Sequence, residues 1–420
     1  MISKETVGID NIGYYIPKPR VPVQLLLEKA FKEYPETFAR MQNAVKTTGQ
    51  KCIRITQSWQ DSVCLATESV LDLLQNISLE ALRFVVSATE TSVDASKPIS
   101  AYIIGILQKV GIRIPSNVST YQTQHACAGG VISIMQCLGM ISSAKRASTA
   151  LVSMTDIARY EANTTAEITQ GAGSVSVYLK KHPRLLSLDI HNVGLYSEDT
   201  DDFFRPNNSS TAKVRGQYSM KCYLDSVYNA LLDCAESVGK SITEICEETH
   251  YFFFHLPFAT MSTIALEYIF KRKLKWSLQK IEEFLDNKHI QQASEVISWI
   301  GNTYTSSLFF SMGYLLSKQY EAVQESIVGK KVLVLSYGSG NTSMVIPGRV
   351  AQQAPEVIQS WSLCDQLQTG NDVETQVYST WMQHHDAIPP NEKDLNTIQS
   401  KSFYLSRIRE DGYRVYSQSP

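Results

Sequence analysis

The stretch KKVLVLSYGSGNTSMVIPGRV, residues 330–350, predicts a buried strand, a glycine-rich turn and a second strand. A largely apolar segment, YTSSLFFSMGYLLS at 304–317, precedes it. The first half of the chain carries the same order about 180 residues earlier. There the pattern predicts a buried helix at 131–143, a strand at 149–156 and a glycine-led strand at 171–179. This order is typical of an α/β protein made of two similar halves.

Strands alternate with helices in any α/β protein, so the pattern also fits a chain without duplication. We favour duplication because helix, strand, glycine turn and strand recur in one order. The predicted domains are an N-terminal half, residues 1–180, and a C-terminal half, residues 181–420. Residues 195–220 between them are polar and turn-rich, which predicts a loop that shapes a site.

The bulk composition limits the class of protein. The 420 residues, 43% of them hydrophobic, are enough for a sizeable core. A formal net charge of −2 gives no electrostatic reason to expect a nucleic acid or an anionic membrane as partner. The N-terminus lacks the apolar core of a signal peptide, and we expect no apolar run to reach the ~18–20 residues of a membrane span.

The eight cysteines are scattered, with no CxxC pair and no metal-ligand spacing. In a large chain without a signal sequence, such cysteines indicate reduced thiols and a cytoplasmic protein. One of them, Cys127, lies in TQHACAGG, residues 123–130, where a strand-like approach meets the predicted buried helix.

The N-terminus of that helix would favour a Cys127 thiolate and could stabilise an oxyanion. Ala128 and the two glycines after it leave space for a substrate carbonyl near the backbone. The same residues also fit a small buried cysteine in a tightly packed turn. The stretch alone does not choose between these interpretations.

Two further polar residues follow apolar strands. Glu90 follows the predicted strand 83–89, where desolvation can raise a carboxyl pKa and allow general acid–base catalysis. His255 ends HYFFFH, and a histidine there can hydrogen-bond a substrate oxygen or exchange a proton. Alone, each also fits a hydrogen-bonded residue of the core or its rim. Cys127, Glu90 and His255 together, at the ends of three buried strands, predict an acyl-transfer site.

Nine segments stand in the order and spacing of one enzyme family. They are VGIDNIGYYIPKPRV near the start, ATETSVDASK (88–97), CAGG (127–130), TDIARYEANTTAEITQGAGSVSV (155–177), EDTDDFFRP (198–206), FFFHLPF (252–258), GNTYTSSL (301–308), LSYGSG (335–340) and FYLSRI (403–408). Over nearly its whole length the chain resembles the 3-hydroxy-3-methylglutaryl-CoA synthases of the thiolase superfamily. The resemblance implies a thiolase-like α/β fold, in which two duplicated halves form a five-layer αβαβα sandwich, and a homodimer.

The resemblance also implies a reaction. Cys127 would take an acetyl group from acetyl-CoA, and Glu90 would remove a proton from its methyl group. The carbanion would attack the ketone of acetoacetyl-CoA, which His255 binds and polarises with Asn302 and Ser336 nearby. Water would then hydrolyse the enzyme thioester, giving the product of the mevalonate pathway. No metal or redox cofactor is needed, in agreement with the missing metal-ligand spacing and GxGxxG pattern.

Five further residues match the family's substrate pocket. Asp156 and Asp202 match aspartates that support the site, Tyr304 and Gly338 match its walls, and Thr169 joins the substrate-binding set.

Three residues depart from the family pattern. Ala128 stands where a tyrosine is usual, and Thr260 replaces a lysine that commonly holds the CoA phosphates. His125 is also unusual, and we expect it to serve packing or hydrogen bonding. Basic residues further along the chain could supply the missing charge: Lys271, Arg272, Lys273 and Lys275.

The departures leave alternatives to a CoA-dependent enzyme. Relatives that use acyl carrier proteins and add β-branches to polyketides also lack that lysine, so carrier-bound substrates are the alternative. A degenerate, non-catalytic binding or scaffold protein is a third hypothesis. The joint presence of Cys127, Glu90 and His255 argues against it.

Overall fold

The structure is a computed structural model that describes residues 6–75, 77–207 and 209–420. Its strands are β1 Val7–Tyr15, β2 Pro19–Pro22, β3 Cys52–Arg54, β4 Leu82–Ala88, β5 Ser119–Thr123, β6 Thr149–Ala158, β7 Gly171–Lys181, β8 Leu186–Leu188, β9 Gly194–Ser197, β10 Phe203–Phe204, β11 Lys213–Val214, β12 Tyr251–Phe254, β13 Lys331–Gly338, β14 Thr342–Val350, β15 Asn371–Asp372, β16 Phe403–Ile408 and β17 Arg414–Gln418.

The α-helices are α1 Val23–Glu33, α2 Pro35–Thr48, α3 Ser62–Leu74, α4 Ile99–Lys109, α5 Gly129–Ser143, α6 Gly216–Ser237, α7 Ile242–Glu248, α8 Met261–Glu267, α9 Leu278–Asn287, α10 Ile290–Ile300, α11 Ser307–Val323, α12 Ala354–Gln359, α13 Leu363–Gln368, α14 Thr375–Gln383 and α15 Glu392–Leu395. A π-helical segment, Tyr268–Lys273, continues α8. Short 3-10 helices lie at Glu167–Thr169, Tyr304–Ser306 and Gln324–Ile327.

Ten strands form one sheet in the order β12–β13–β14–β8–β1–β7–β6–β4–β5, with β9 pairing along β14. The short strand β8 joins the two halves, because Leu188 pairs with Val7 of β1 and with Gly348 of β14. Strands β6 and β13 are almost wholly buried, as expected for strands that helices cover on both faces.

The two halves repeat one arrangement. In the first, α5 leads into β6, which pairs antiparallel with β7 and parallel with β4. In the second, α11 leads into β13, which pairs antiparallel with β14 and parallel with β12. The predicted duplication is therefore confirmed. The boundary between residues 180 and 181 stays a prediction, since residues 371–418 cross back to the first half.

Hydrogen bonds and packing attach the C-terminal segment, residues 371–418, to the first half of the chain. The backbone N–H of Phe403 in β16 donates to the Glu68 carboxylate on α3 at 2.7 Å, and Leu405 N–H donates to the Trp59 carbonyl at 3.0 Å. Strand β15 pairs with β2. The C-terminal segment consequently covers the start of α3.

The central helices differ in burial. Every residue of α11 from Ser307 to Ser317 is buried, whereas α5 leaves Gln136 and Gly139 exposed and Met135 and Met140 half-buried. The expectation that α5 is buried on all sides was therefore wrong. By length and composition, Ala126–Ser143 could cross a membrane, with a mean hydropathy of 1.5, which we did not expect. Half of it is buried inside the protein, as is usual for a core helix.

The predicted loop at 195–220 is partly regular structure. It holds the end of β9, the two-stranded ribbon of β10 and β11, and the first turn of α6, which begins at Gly216. Polar residues suggested a loop there, but Phe203 pairs with Val214 and packs against Tyr160 and Tyr304. The ribbon brings this aromatic ring to the site.

Candidate active site

Cys127 lies in the turn between β5 and α5. The helix begins at Gly129, two residues after Cys127 and two residues earlier than predicted, and the turn is closed by Ala128 N–H donating to the His125 carbonyl at 3.1 Å. Strand β5 is a partly exposed edge strand rather than the buried strand we expected. The Cys127 side chain packs beside a cluster that contains Tyr160 and Tyr304.

Glu90 follows β4 by two residues and meets the cysteine directly. The Cys127 thiol donates to Oε1 of Glu90 at 3.5 Å. Burial and the nearby charge of Asp156 raise the pKa of Glu90 to about 8, which confirms the expected effect of desolvation. The Arg205 guanidinium donates to the Glu90 carbonyl oxygen and so helps hold this residue in place.

The protonation of Cys127 is opposite to our expectation. Burial, followed by the charges of Glu90 and Asp156, raises the pKa of its thiol well above the usual range. The helix N-terminus favours a thiolate, but desolvation beside two carboxylates outweighs it. The free protein thus holds a neutral thiol, which donates to the Glu90 carboxyl group.

Asp156, in β6, accepts hydrogen bonds from two separate segments of the site. Its Oδ1 accepts from Glu90 N–H at 2.9 Å and from the Thr91 hydroxyl at 2.8 Å. Its Oδ2 accepts from the N–H and hydroxyl of Thr305, at 3.1 and 2.6 Å. Both oxygens are taken by protein donors, so this buried carboxylate positions the segments of Glu90 and Thr305.

His255 follows β12 directly and is buried. Its Nδ1 lies 2.8 Å from the Ser307 hydroxyl, and that oxygen also accepts from Leu256 N–H at 3.3 Å. Because Ser307 already accepts one hydrogen bond, its own proton can go to Nδ1, leaving Nε2–H as a donor. Burial lowers the pKa of His255 to about 3, so the ring is neutral near pH 7. It can donate to a substrate oxygen without carrying a charge.

Tyr304 belongs to the cluster that packs against Cys127, and Asn302 is hydrogen-bonded to two members of that cluster. The Asn302 amide donates to the Tyr160 hydroxyl at 3.2 Å, and its oxygen accepts from Tyr304 N–H at 2.9 Å. The rings of Tyr160, Tyr304 and Phe203 meet edge to face. Together they form an aromatic wall against Cys127, in the place predicted for Tyr304.

The structure places the other predicted residues around this centre. Asp202 is buried and accepts hydrogen bonds from Tyr337 at 2.9 Å and Gly340 N–H at 3.1 Å, so it fixes the turn after β13. Gly338, at the end of β13, lies against Ala128 with no room for a side chain. Ser336 is buried in β13, and the Thr169 hydroxyl donates to the Ala166 carbonyl within its own turn.

The structure shows what surrounds each of the three residues that depart from the family pattern. The Thr260 hydroxyl donates to the Thr47 carbonyl at 2.6 Å. Ala128 is fully buried beside Gly338. The His125 imidazole, half-buried, makes no hydrogen bond within the described part of the chain. Of the two predicted roles, packing or hydrogen bonding, the structure shows no hydrogen bond of this side chain within the described residues, and its role stays a prediction.

Sequence reasoning missed several residues that position the site: Thr91, Tyr160, Arg205, Thr305 and Ser307. All lie inside segments that already resembled the family, so their position next to Glu90, Cys127 or His255 was the available signal. Among residues 6–75, 77–207 and 209–420, no three His, Cys, Asp or Glu side chains are grouped to hold a metal ion.

Two family models together match most of the chain. The model for the N-terminal part of hydroxymethylglutaryl-coenzyme A synthase matches residues 4–183, and its C-terminal counterpart matches residues 266–419. The hydroxymethylglutaryl-CoA synthase of Haloferax volcanii is 26% identical over 410 residues, covering 88% of this chain and 89% of that protein.

Solved structures share the fold. MvaS in complex with 3-hydroxy-3-methylglutaryl coenzyme A has a TM-score of 0.85 at 26% identity, covering 99% of this chain and 100% of that chain. The HMG synthase of the curacin biosynthetic pathway, in complex with holo donor-ACP, has a TM-score of 0.85 at 21% identity and the same coverage. The thiolase-like fold is thereby confirmed, and the chain belongs to the hydroxymethylglutaryl-coenzyme A synthase family.

Proposed function

We propose that this protein is a 3-hydroxy-3-methylglutaryl-CoA synthase, which condenses an acetyl group on Cys127 with acetoacetyl-CoA. The observation that carries the proposal is the 3.5 Å contact between the Cys127 thiol and the Glu90 carboxylate. A nucleophile and a base this close can act in turn on one acetyl group.

In the first step the Cys127 sulfur attacks the carbonyl of acetyl-CoA while its proton passes to Glu90. The thioester bond to CoA breaks, and the departing sulfur receives that proton. The N–H groups at the start of α5 are the nearest backbone donors for the oxyanion that forms. Acetyl-Cys127 and free CoA result.

In the second step the Glu90 carboxylate removes a proton from the acetyl methyl. The carbanion forms a carbon–carbon bond to the ketone carbon of acetoacetyl-CoA, and the ketone oxygen takes up a proton. The neutral Nε2–H of His255 is suited to polarise that oxygen, with the Asn302 amide close by. Water then cleaves the enzyme thioester, which restores the thiol and releases a free carboxylate on the product.

Carrier-bound thioesters are the second candidate substrates. Thr260 caps α8 and its hydroxyl is already bonded to Thr47, so this position presents no cation to a phosphate. Lys271 lies eleven residues further on, in the π-helical segment that follows α8, and Arg272 and Lys273 lie in the same segment. Lys273 is paired with Asp225 at 3.7 Å. The lack of a cation at Thr260 supports carrier-bound thioesters as second candidates, while Arg272 and Lys275 stay candidates for binding a CoA phosphate.

We further propose a homodimer and a cytoplasmic location. Strand β5 is a free edge of the large sheet, and Met135 and Met140 form a half-buried apolar face on the neighbouring helix α5. An open edge beside apolar side chains suits a second copy of the chain.

All eight cysteines are free thiols, which supports a reducing compartment and so the proposed cytoplasmic location.

Intact-mass spectrometry tests the proposal. Acetyl-CoA should add one acetyl group to the protein, and Cys127→Ser should prevent it. Cys364→Ser, which changes another half-buried thiol far from Glu90, is the matched control and should acetylate normally.

Parallel reactions with acetyl- and acetoacetyl-carrier proteins compare the two substrate classes. A preference for the carriers would select the polyketide alternative. If neither donor acetylates the protein, the enzymatic proposal is wrong.

A further inference from the structure

Helix α14, in the C-terminal segment, is hydrogen-bonded to the aromatic wall through one intermediate side chain. Its Tyr378 is fully buried, and the Tyr378 hydroxyl accepts from the Gln170 amide, 208 residues away in sequence, at 3.0 Å. The Gln170 side-chain oxygen accepts from the backbone N–H of Tyr160 at 2.9 Å. Two hydrogen bonds therefore join a side chain of α14 to a residue of the wall.

A buried carboxylate sets the direction of these hydrogen bonds. The Tyr378 hydroxyl donates to Oε1 of Glu167 at 2.6 Å, and Oε2 of Glu167 accepts from Asn163 N–H at 2.5 Å. Burial, followed by the charge of Glu167, raises the pKa of Tyr378 well above its usual range, so the phenol keeps its proton. Because that proton goes to Glu167, the Gln170 amide must donate to the phenol and turn its oxygen towards Tyr160.

Residues 167–171 also support Asn302. The backbone N–H of Asn302 donates to the Thr169 carbonyl at 2.9 Å, and its side-chain amide donates to the Tyr160 hydroxyl at 3.2 Å. A methyl group on Gly171 would lie 2.7 Å from the Asn302 carbonyl oxygen, so the two segments are in close contact. Two residues of the site consequently rest on one short segment, to which α14 is bonded.

A second side chain of α14 contacts the same part of the site. Trp381, three residues after Tyr378, donates from its indole N–H to the Thr56 hydroxyl at 3.1 Å. The Arg159 guanidinium stacks on the Trp381 ring at 3.6 Å. Arg159 directly precedes Tyr160, so α14 contacts the neighbour of Tyr160 as well as the amide that binds its N–H.

The aromatic wall limits the access of water to Cys127. Tyr160 and Tyr304 are 5% and 3% exposed and meet edge to face, and the half-buried Cys127 packs against them. An acetyl group on that sulfur is a thioester, which water can hydrolyse before the second substrate arrives. A displaced Tyr160 ring would open this side of the site to water.

We propose that Tyr378 is a positioning residue, which acts through Gln170 to hold the Tyr160 ring beside acetyl-Cys127 and so slows the loss of its acetyl group to water. This role rests on the proposed function, because it requires an acetyl group on Cys127. In the unwanted step water adds to the thioester carbonyl and the carbon–sulfur bond breaks, giving acetate, a proton and the free thiol. Helix α14 then serves the reaction from behind the wall.

Tyr378→Phe tests this role, because it removes only the hydroxyl. The acetyl-enzyme is made with acetyl-CoA or an acetyl-carrier protein and freed of the donor. Mass spectrometry then follows the loss of its acetyl group without any acetoacetyl substrate. Hydrolysis should be about three- to tenfold faster in Tyr378→Phe than in the wild type, the effect of one lost hydrogen bond. The rate of acetylation should change less than about twofold.

Tyr416→Phe is the matched control. The Tyr416 hydroxyl is also buried in the C-terminal segment and also donates to a carboxylate, Asp61 at 2.8 Å, but Asp61 caps α3 and does not lead to Tyr160. Each variant loses one buried hydroxyl from the same segment, so a general loosening of the fold would accelerate hydrolysis in both. We expect Tyr416→Phe to hydrolyse its acetyl group at the wild-type rate.

Gln170→Met tests the route through Gln170, because it keeps the length of the side chain and removes both of its hydrogen bonds. Its hydrolysis should be accelerated at least as much as in Tyr378→Phe. Adding Tyr378→Phe to Gln170→Met should have little further effect, since the two residues act in one chain of hydrogen bonds. A full additional effect would mean that Tyr378 does not act through Gln170.

Alkylation of Cys127 by iodoacetamide gives a second measurement that needs no substrate. Peptide mapping by mass spectrometry follows this one cysteine. The reagent should reach the sulfur at least about threefold faster in Tyr378→Phe and at the wild-type rate in Tyr416→Phe.

The two measurements separate the role of Tyr378 from the proposed function. Where the acetyl-enzyme forms, the role is excluded if Tyr378→Phe hydrolyses it no faster than the wild type, or if Tyr416→Phe hydrolyses it equally fast. If neither donor acetylates the wild-type protein, the proposed function is wrong. The same comparison of alkylation rates then decides whether Tyr378 holds the wall in place.

Discussion

Cys127 shows how the surroundings of one residue can reverse what its local sequence predicts. The start of α5 favours a thiolate, yet burial, followed by the charges of Glu90 and Asp156, raises the pKa of the Cys127 thiol and keeps the sulfur protonated. The thiol therefore needs a base at the moment of attack. In the proposed mechanism Glu90, at 3.5 Å, is that base, and its raised pKa would allow it to hold and return the proton.

The Glu90 pKa of about 8 predicts the pH dependence of methyl proton removal. Only the carboxylate form can take the proton, so the rate should rise with pH and level off above about pH 8. Below that value it should fall about tenfold per pH unit. Exchange of the acetyl methyl protons of acetyl-Cys127 with deuterium, followed by mass spectrometry, measures this step.

Glu90→Ala is the control for that profile. It should still acetylate at high pH but show no methyl exchange above the uncatalysed rate at any pH. A wild-type profile that levels off near pH 4 to 5, the range of an ordinary carboxyl group, would contradict the raised pKa.

The Ser307 hydroxyl should set which nitrogen of His255 carries the proton. In Ser307→Ala, the loss of one hydrogen bond worth about 0.5–1.5 kcal/mol should slow condensation by up to about tenfold. Cys127 acetylation should stay normal, because Ser307 does not touch the sulfur. Single-turnover assays separate the two steps.

Ser306→Ala is the matched control, since the Ser306 hydroxyl donates to the Thr303 carbonyl and not to His255. If both variants lose condensation activity equally, the start of α11 only supports the fold, and the Ser307 hydroxyl has no separate effect on His255.

At the scale of elements, the site is an assembly of strand and helix ends. Asp156 in β6 bonds to the segment after β4 and to Thr305 before α11. Since Ser307 begins α11 and holds His255, one carboxylate links the nucleophile's half of the chain to the histidine's half. The chain order alone did not show this link, because its members are up to 149 residues apart.

The end of β13 should control the position of the Cys127 turn. In Gly338→Ala, the new methyl would lie 2.6 Å from the Ala128 side chain and 2.8 Å from the His125 carbonyl oxygen. We expect about 1–3 kcal/mol of lost stability and acetylation at least about tenfold slower. Thermal unfolding and acetylation rates measure the two effects.

Gly105→Ala is the control, because a methyl group on Gly105 in α4 meets no atom within 4 Å. It should stabilise the helix by about 0.5–1 kcal/mol and leave acetylation unchanged. Normal acetylation in Gly338→Ala would show that the position of the Cys127 turn does not depend on the end of β13.

At the scale of the whole molecule, the free edge at β5 and the apolar face of α5 predict a dimer. Sedimentation should give twice the mass of one chain, and Met135→Glu combined with Met140→Glu should give monomers. Leu278→Glu, which charges an apolar side chain that is 61% exposed on α9, should leave the dimer intact. A wild-type monomer at micromolar concentration would exclude this interface.

The sequence by itself determined the α/β class, the duplicated order and the three candidate catalytic residues. Periodic apolar runs and glycine turns are local signals, and Glu90 and His255 each stood out at the end of such a run. Residues 83–89 and 149–156, for example, were predicted as strands and lie within β4 and β6, apart from Thr89 at the end of the first range.

Only the tertiary structure decided the protonation of Cys127 and His255, the hydrogen bonds of Asp156 and the packing of Arg159 on Trp381. Each depends on burial and on partners far away in the chain, as when Trp381 covers Arg159 across 222 residues. The sequence also could not show that one face of α5 is half-exposed. An apolar helix has the same sequence pattern whether or not a neighbour covers it. Local sequence carries propensity and pattern, but the desolvation and charge that set chemical behaviour arise from long-range packing.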